Sequence, residues 1–224
     1  TPKTYKSTIT KMAEERGVEI SGMDDKAVFG KVFYSLPFGE AIKRELLSDY
    51  QVVIVGVNKP MIYEWIQNRE LIKTDAGEIT NAEDLAALIG LFKAVKDYDL
   101  KRIISFHSRV SRAENFAADT NNAINCIPEE HLPKGKIWAD FVSGKMSSFQ
   151  RKIRLDKLKE LSEGARGLLT NARCLSEGVD VPSLDGVAFI DPKGSEIDIV
   201  QAVGRAIRLS EEKKIGTIFL PVFF

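Results

Sequence analysis

The sequence predicts an α/β fold in which a mostly parallel sheet is covered by helices on both faces. Three observations lead there. Short apolar or β-branched runs alternate with longer stretches of helical period, the order that right-handed strand–helix–strand crossovers produce. One of these runs, Tyr50–Val57 (YQVVIVGV), is continuous enough to read as a strand buried on both faces. The segments Ser105–Ser108, Ser143–Lys145, Thr170–Asp180 and Asp191–Lys193 follow strands, where parallel sheets gather functional residues.

Residues 1–30 are polar and without clear period, so they read as a linker or arm, and 31–224 as one folded domain. Lys31–Leu36 alternates briefly, and Phe38–Leu47 has the spacing of an amphipathic helix. After the Tyr50–Val57 strand, Asn58–Thr80 is irregular by pattern. Asn81 is placed to cap a helix running to about Lys96, with Asp84 in a first turn whose dipole favours a carboxylate. Strands are expected at Arg102–Phe106, Ile137–Val142, Gly167–Thr170, Gly186–Ile190 and Gly216–Val222. Helices are expected over Ser111–Asn125 and Phe149–Leu161, and over the segment containing Gln201 and Arg205.

Composition narrows the class. With 224 residues, 44% of them hydrophobic and 29% charged, the chain can bury a substantial core. Lysine plus arginine equals aspartate plus glutamate at 32 each, so any basic surface for nucleic acid has to be local. Cys126 and Cys174 form no disulfide framework or zinc pattern, which suits a reducing cytoplasm, and His107 and His131 make no catalytic motif with them. No stretch is apolar for long enough to span a membrane as a helix. The chain closes on an apolar run, GTIFLPVFF, without a polar tail, and a parent polypeptide continuing in both directions is expected.

The strongest signal lies in Leu168–Arg208. A strand-like LLTNA leads to a turn with Gly178, Asp180 and Pro182, a second strand VAFID follows, and then a helix with Gln201, Gly204, Arg205 and Arg208. A solvated helix face is the commonest use of two such arginines, but here turn, strand and helix occur together in order. The arrangement resembles motifs V and VI of superfamily-two helicases. Thr1-Pro2 resembles the end of the motif that closes the first helicase lobe, and Ile103–Ser108 (IISFHS) is similar to motif IV. The passage Met23–Tyr50 looks like the entry to the second lobe in restriction-type helicases. These likenesses span nearly the whole chain. They are most similar to the motors of type I and single-polypeptide restriction–modification enzymes.

The resemblance implies a RecA-like three-layer α/β/α fold and a second motor lobe. Arg205 and Arg208, at i and i+3 on one helical face, would contact the β- and γ-phosphates of ATP as arginine fingers, with Gln201 one turn earlier near the γ-phosphate or the attacking water. Gly178 and Asp180 would lie at the lobe interface near the nucleotide, and Gly204 would let a neighbouring segment approach the helix. Phe106, His107, Ser108, Thr170, Asn171 and Arg173 would grip nucleic-acid phosphates, a contact that positions without reading sequence. One departure stands out: the motif V threonine position, six residues before Gly178, is Ala172.

A P-loop is missing. The nearest candidate, Gly144-Lys145, has Ala139 where the first glycine belongs and Met146 where the hydroxyl belongs. Pro128–His131 (PEEH) lacks the aspartate and preceding strand of a D-E-x-H box. ATP and Mg2+ are therefore expected on a first RecA-like lobe of the same parent, with nucleic acid, most simply DNA, as the other partner. The isolated chain is expected to be inactive.

Several residues admit two readings. His107 could touch nucleic acid or be a hydrogen-bonded structural histidine. Trp65 and Trp138 could stack on bases, although packing is the commoner use of tryptophan. The cluster Arg151–Lys159 fits a phosphate track and a solvated helix equally. The alternative to a motor lobe is a nucleotide-binding or interaction module of the same fold, and a nuclease is disfavoured because the carboxylates are scattered.

Overall fold

Six apolar runs become six parallel strands in the computed structural model, which describes residues 15–17, 22–57, 82–124, 127, 129, 132–172, 174, 184–192, 195–210 and 215–223. Strands β1 (Asp49–Val57), β2 (Arg102–Phe106), β3 (Ile137–Ser143), β4 (Arg166–Ala172), β5 (Gly186–Phe189) and β6 (Ile215–Phe223) lie in the order β1-β6-β5-β2-β4-β3. The helices are α1 (Lys26–Phe29), α2 (Phe38–Lys43), α3 (Ala82–Asp97), α4 (Val110–Ala123), α5 (Ser148–Lys159) and α6 (Glu196–Ala206). Asn58–Thr80, Trp65, Asn81, Cys126 and His131 lie outside the described residues, as do Arg173, Gly178 and Asp180.

Alternation along the central strands divides the core into two layers. On one face α3 and α4 bring Leu88, Leu91 and Phe116 against Val53, Ile103, Leu168 and Phe219. On the other, α5 and α6 bring Leu158, Ala202 and Val203 against Ile104, Leu169, Val187 and Ile218. Each large side chain so buried contributes roughly 1.5–3 kcal/mol relative to exposure. The register sets Ser105 beside both Thr170 and Ala188, and Phe106 beside both Asn171 and Phe189.

The strand expectations hold within a residue or two, but one helix end and one strand face differ. The helix from Phe38 stops at Lys43 because Glu45 turns into the left-handed region (φ 56°). Leu46 N–H then donates to the Ala41 carbonyl at 2.9 Å and Glu45 N–H to the Ile42 carbonyl at 2.9 Å, a Schellman closure. Lys31–Leu36 forms no strand. β1 is not buried on both faces: among the described residues it is an edge strand paired with β6 alone, and Val52 and Ile54 are 48% and 64% exposed. Beside them α6 leaves a trough of about 690 Å³, whose apolar wall includes Val52, Ile199, Val203 and Leu220.

Helix starts follow local chemistry. Ser147 accepts from Gln150 N–H while the Gln150 side chain returns to the Ser147 amide, a reciprocal capping box at α5. Ser195 caps α6, whose first turn holds Glu196 and Asp198 and whose last turn holds Arg205, the charge order its dipole favours. Among the described residues no helix is long and apolar enough to cross a membrane.

Candidate functional site

The residues singled out from the sequence fall into two groups at opposite edges of the sheet. Gln201, Gly204, Arg205 and Arg208 belong to α6 and the turn after it. Because α6 runs back from the carboxyl end of β5, its last turn reaches the amino edge, where β1 and β6 begin. There Ser48 N–H donates to the Ile207 carbonyl at 2.8 Å. At Gly216 in β6 the Ala206 carbonyl comes so close that an added Cβ would stand 2.3 Å from its oxygen, so the helix end rests directly on the strand backbone.

Of the two arginines only Arg205 lies on the helix. α6 ends at Ala206, and Ile207 is its C-cap with φ −104° and ψ 11°. Arg208 sits in the following turn, exposed, its amide 3.4 Å from the Arg205 carbonyl. Arg205 is on the helix and only 9% exposed, and Gln201, one turn earlier, is half-buried. The two guanidiniums therefore leave the backbone on either side of the helix end. Gly204 is not required by any close approach among the described residues: a Cβ there would meet only the Phe38 ring, at 3.8 Å.

The second group lies at the carboxyl edge, after β2 and β4. Of its described members only Ser108 is exposed. Thr170 and Asn171 are fully buried, because β4 is covered on both faces. The Thr170 hydroxyl donates to the Ala113 carbonyl at 2.5 Å, and the Asn171 amide donates to the Ser105 carbonyl at 2.8 Å. The hydroxyl expected to grip phosphate is thus committed inside the fold. Phe106 stacks on Phe189 with ring centroids 5.5 Å apart, and is equally internal.

His107 is a structural histidine. It is 2% exposed, packs its ring 4.9 Å from that of Phe116, and places Nε2 3.0 Å from the Ser105 hydroxyl. Its Nδ1 has no hydrogen-bond partner among the described residues. Burial lowers its pKa from 6.5 to about 4, with nearby Asp191 opposing that shift and Arg112 reinforcing it. The ring is neutral at physiological pH.

These buried groups form a floor under the exposed Ser108–Arg109 turn. The His107 amide donates to the Asn171 carbonyl at 2.8 Å, and the Ser108 amide donates to Asp191 Oδ2 at 2.7 Å. Arg112 pairs with Asp191 Oδ1 at 2.9 Å and with Asp84 Oδ1 at 2.5 Å. The sequence placed Asp191 only generally, after a strand, and did not single out Arg109, Arg112 or Asp84 for the site. Their one available signal was position, at a strand exit or in the first turn of a helix.

Other candidates resolve as structural. Trp138 packs against the second core layer with Lys157 4.4 Å above its ring. In the basic cluster Arg154 pairs with Asp140 at 3.1 Å, Lys152 with Asp156 at 3.4 Å, and Arg151 donates to the Met146 carbonyl at 2.5 Å. Cys174 is half-buried, and burial pushes its thiol pKa up, away from a nucleophile's. Among the described residues no three His, Cys, Asp or Glu side chains cluster to hold a metal.

An all-parallel sheet between two helical layers, with an arginine-bearing helix returning from a central strand, is the RecA-like architecture of helicase second lobes. Residues 84–210, more than half of the chain, match the family described as Helicase conserved C-terminal domain, and the chain belongs to that family. It is 24% identical over 205 residues to the probable helicase A859L of African swine fever virus (isolate Pig/Kenya/KEN-50/1950), covering 89% of this chain and 21% of that protein. Among solved structures it is similar to the ATP-dependent type ISP restriction-modification enzyme LlaBIII bound to DNA, with a TM-score of 0.77 and 30% identity over 91% of this chain. It also shares its fold with a putative HsdR subunit of a type I restriction enzyme from Vibrio vulnificus YJ016, with a TM-score of 0.62 and 21% identity over 91% of this chain. The chain spans 21% of the viral helicase, 14% of the LlaBIII chain and 38% of the HsdR fragment. It is a helicase C-terminal domain, similar to part of a restriction-modification enzyme.

Proposed function

We propose that this chain is the second lobe of an ATP-dependent DNA helicase or translocase, which supplies Arg205 and Arg208 to ATP and Mg2+ bound on a first RecA-like lobe of the same parent polypeptide. The observation that carries the reading is the arginine end of α6. The helix is capped at Ser195, seated at its far end on Gly216, and ends so that Arg208 stands exposed in the turn beyond it. Two guanidiniums flanking a helix end can spread over the oxygens of one polyphosphate, stabilising charge as the terminal phosphoryl group leaves. Gln201, one turn back, is positioned to orient water or the terminal phosphate, and Gly178 and Asp180 are assigned to the lobe interface. Gly204 would matter only where the first lobe approaches.

For nucleic acid the reading uses the carboxyl edge. The amino end of α4 has no side-chain cap, so its first amides, beside exposed Ser108 and Arg109, suit a phosphate. Phe106, His107, Thr170 and Asn171 support that turn from beneath, and Arg173 is assigned to the same contact by the resemblance alone. DNA is favoured over RNA by the likeness to LlaBIII, a structure bound to DNA. Without a P-loop in its sequence, this lobe alone is expected not to hydrolyse ATP.

The test is DNA-stimulated ATP hydrolysis by the two-lobe parent, comparing wild type with Arg205→Ala and Arg208→Ala while nucleotide binding is followed separately. The expected result is a loss of about a thousandfold or more in turnover with binding largely kept. Unchanged hydrolysis in both folded variants would overturn the arginine assignment and favour a non-motor module.

A further inference from the structure

Among the described residues no hydrogen bond from the Ser108 or Arg109 side chain holds the turn they form. Asp191, just past the end of β5, reaches across to it: Oδ2 accepts the Ser108 amide at 2.7 Å while Oδ1 pairs with Arg112 at 2.9 Å. The second amino group of Arg112 meets Asp84 of α3 at 2.5 Å, and the Asp191 amide lies 3.4 Å from the Phe106 carbonyl. The Asp191 side chain is only 7% exposed, so these bonds work in a medium of low polarity. One carboxylate thereby joins the exit of β2, the first turns of α3 and α4, and the chain that runs through Pro192 to Ser195, the cap of the arginine helix.

We propose that Asp191 is a positioning residue for nucleic-acid contact: with Arg112 it fixes the Ser108 amide, and hence the turn offered to phosphate, and ties that turn to the segment entering α6. The inference rests on the reading of this turn as a nucleic-acid contact. It makes a counter-intuitive demand. Removing an anion beside a phosphate should tighten binding by simple Coulomb attraction. If the carboxylate instead holds the turn in shape, removing it weakens binding.

The experiment titrates double-stranded DNA into the full parent polypeptide, following ATP hydrolysis at several salt concentrations, for wild type, Asp191→Asn, Asp191→Ala and Arg112→Gln. The half-saturating DNA concentration is expected to rise about tenfold in Asp191→Ala, and less in Asp191→Asn, which keeps an acceptor for Ser108. KM for ATP should move less than about twofold, and the slope of log affinity against log salt should not change, since no phosphate contact is deleted. Arg112→Gln should shift in the same direction and combine non-additively with Asp191→Asn. Tighter binding, no shift, an equal shift in KM for ATP, or a salt slope reduced by about one would each overturn the inference. Circular dichroism reports folding, and Arg112→Lys, which keeps the charge and loses the fork, supplies a milder test of the same tie if Asp191→Ala does not fold. A wild-type parent whose hydrolysis ignores DNA would remove the motor reading and this inference together, whereas a stimulated wild type with unaltered variants would remove the inference alone.

Discussion

The Ser108–Arg109 turn stands at the carboxyl edge of the sheet and the Arg205–Arg208 turn at the amino edge. Side-chain charges and amides shape the first. Asp191, Arg112 and Asp84 hold it from the side, and Asn171 and His107 from below. Main chain shapes the second, through the Ser48 amide on the Ile207 carbonyl and the bare backbone of Gly216 under Ala206. A frame of charges yields to single charge changes and to pH. A frame of backbone packing yields to added volume and leaves the arginine side chains replaceable without loss of the scaffold.

The largest effect should separate function from scaffold at the arginine end. Arg205→Lys keeps the charge but loses the planar fork, and ATP turnover of the two-lobe parent should fall about a thousandfold, some 4 kcal/mol, with the melting temperature nearly unchanged. A comparable fall in stability would instead make Arg205, 9% exposed, part of the frame.

The next effect belongs to the carboxyl edge. The His107 pKa is lowered from 6.5 to about 4, so between those values the unfolded chain binds a proton that the folded chain refuses. Stability should therefore decline as pH falls through that window, by up to ~3 kcal/mol in total. Urea unfolding at pH 7, 5.5 and 4.5 measures the slope, and His107→Gln should flatten it. An unaltered slope would assign the acid sensitivity elsewhere.

Two glycines test the backbone frame. Gly216→Ala forces a Cβ to within 2.3 Å of the Ala206 oxygen and should cost about 1–3 kcal/mol, read as a lower denaturation midpoint. A midpoint equal to wild type would show that the arginine end is less tightly seated than its geometry implies. Gly204→Ala has ordinary space at 3.8 Å from Phe38 and should stabilise the lobe by up to about 1 kcal/mol through helix propensity. A loss of ATP turnover in the two-lobe parent despite that gain would mark Gly204 as a point of close approach by the first lobe.

Much of the fold was legible because strands and helices announce themselves by period. The Arg102–Phe106 strand appears as expected, and the expected helix over Ser111–Asn125 appears as Val110–Ala123. The failures have physical causes. Tyr50–Val57 has the composition of a central strand, but composition does not tell how many neighbours a strand has, and among the described residues β1 has one. Arg208 follows the helical spacing of Arg205, yet the helix stops before it because Ile207 leaves helical geometry as the chain turns toward β6. Thr170 and Asn171 sit in a strand covered on both faces, so their polar character signals internal hydrogen bonds, which no periodicity distinguishes from a surface grip.

By itself the sequence determined the α/β class, the strand and helix order and the family, because hydrophobic period, capping residues and the motif spacing are local properties of the chain. Only the tertiary structure decided that the arginines and the Ser108–Arg109 turn occupy opposite edges of one sheet, that His107 is neutral and internal, and that Asp191 meets Arg112 and Ser108. Those facts depend on which strands become neighbours. Parallel pairing brings β2, β4 and β5 side by side from distant parts of the chain, and contacts of that kind leave no mark in any local pattern.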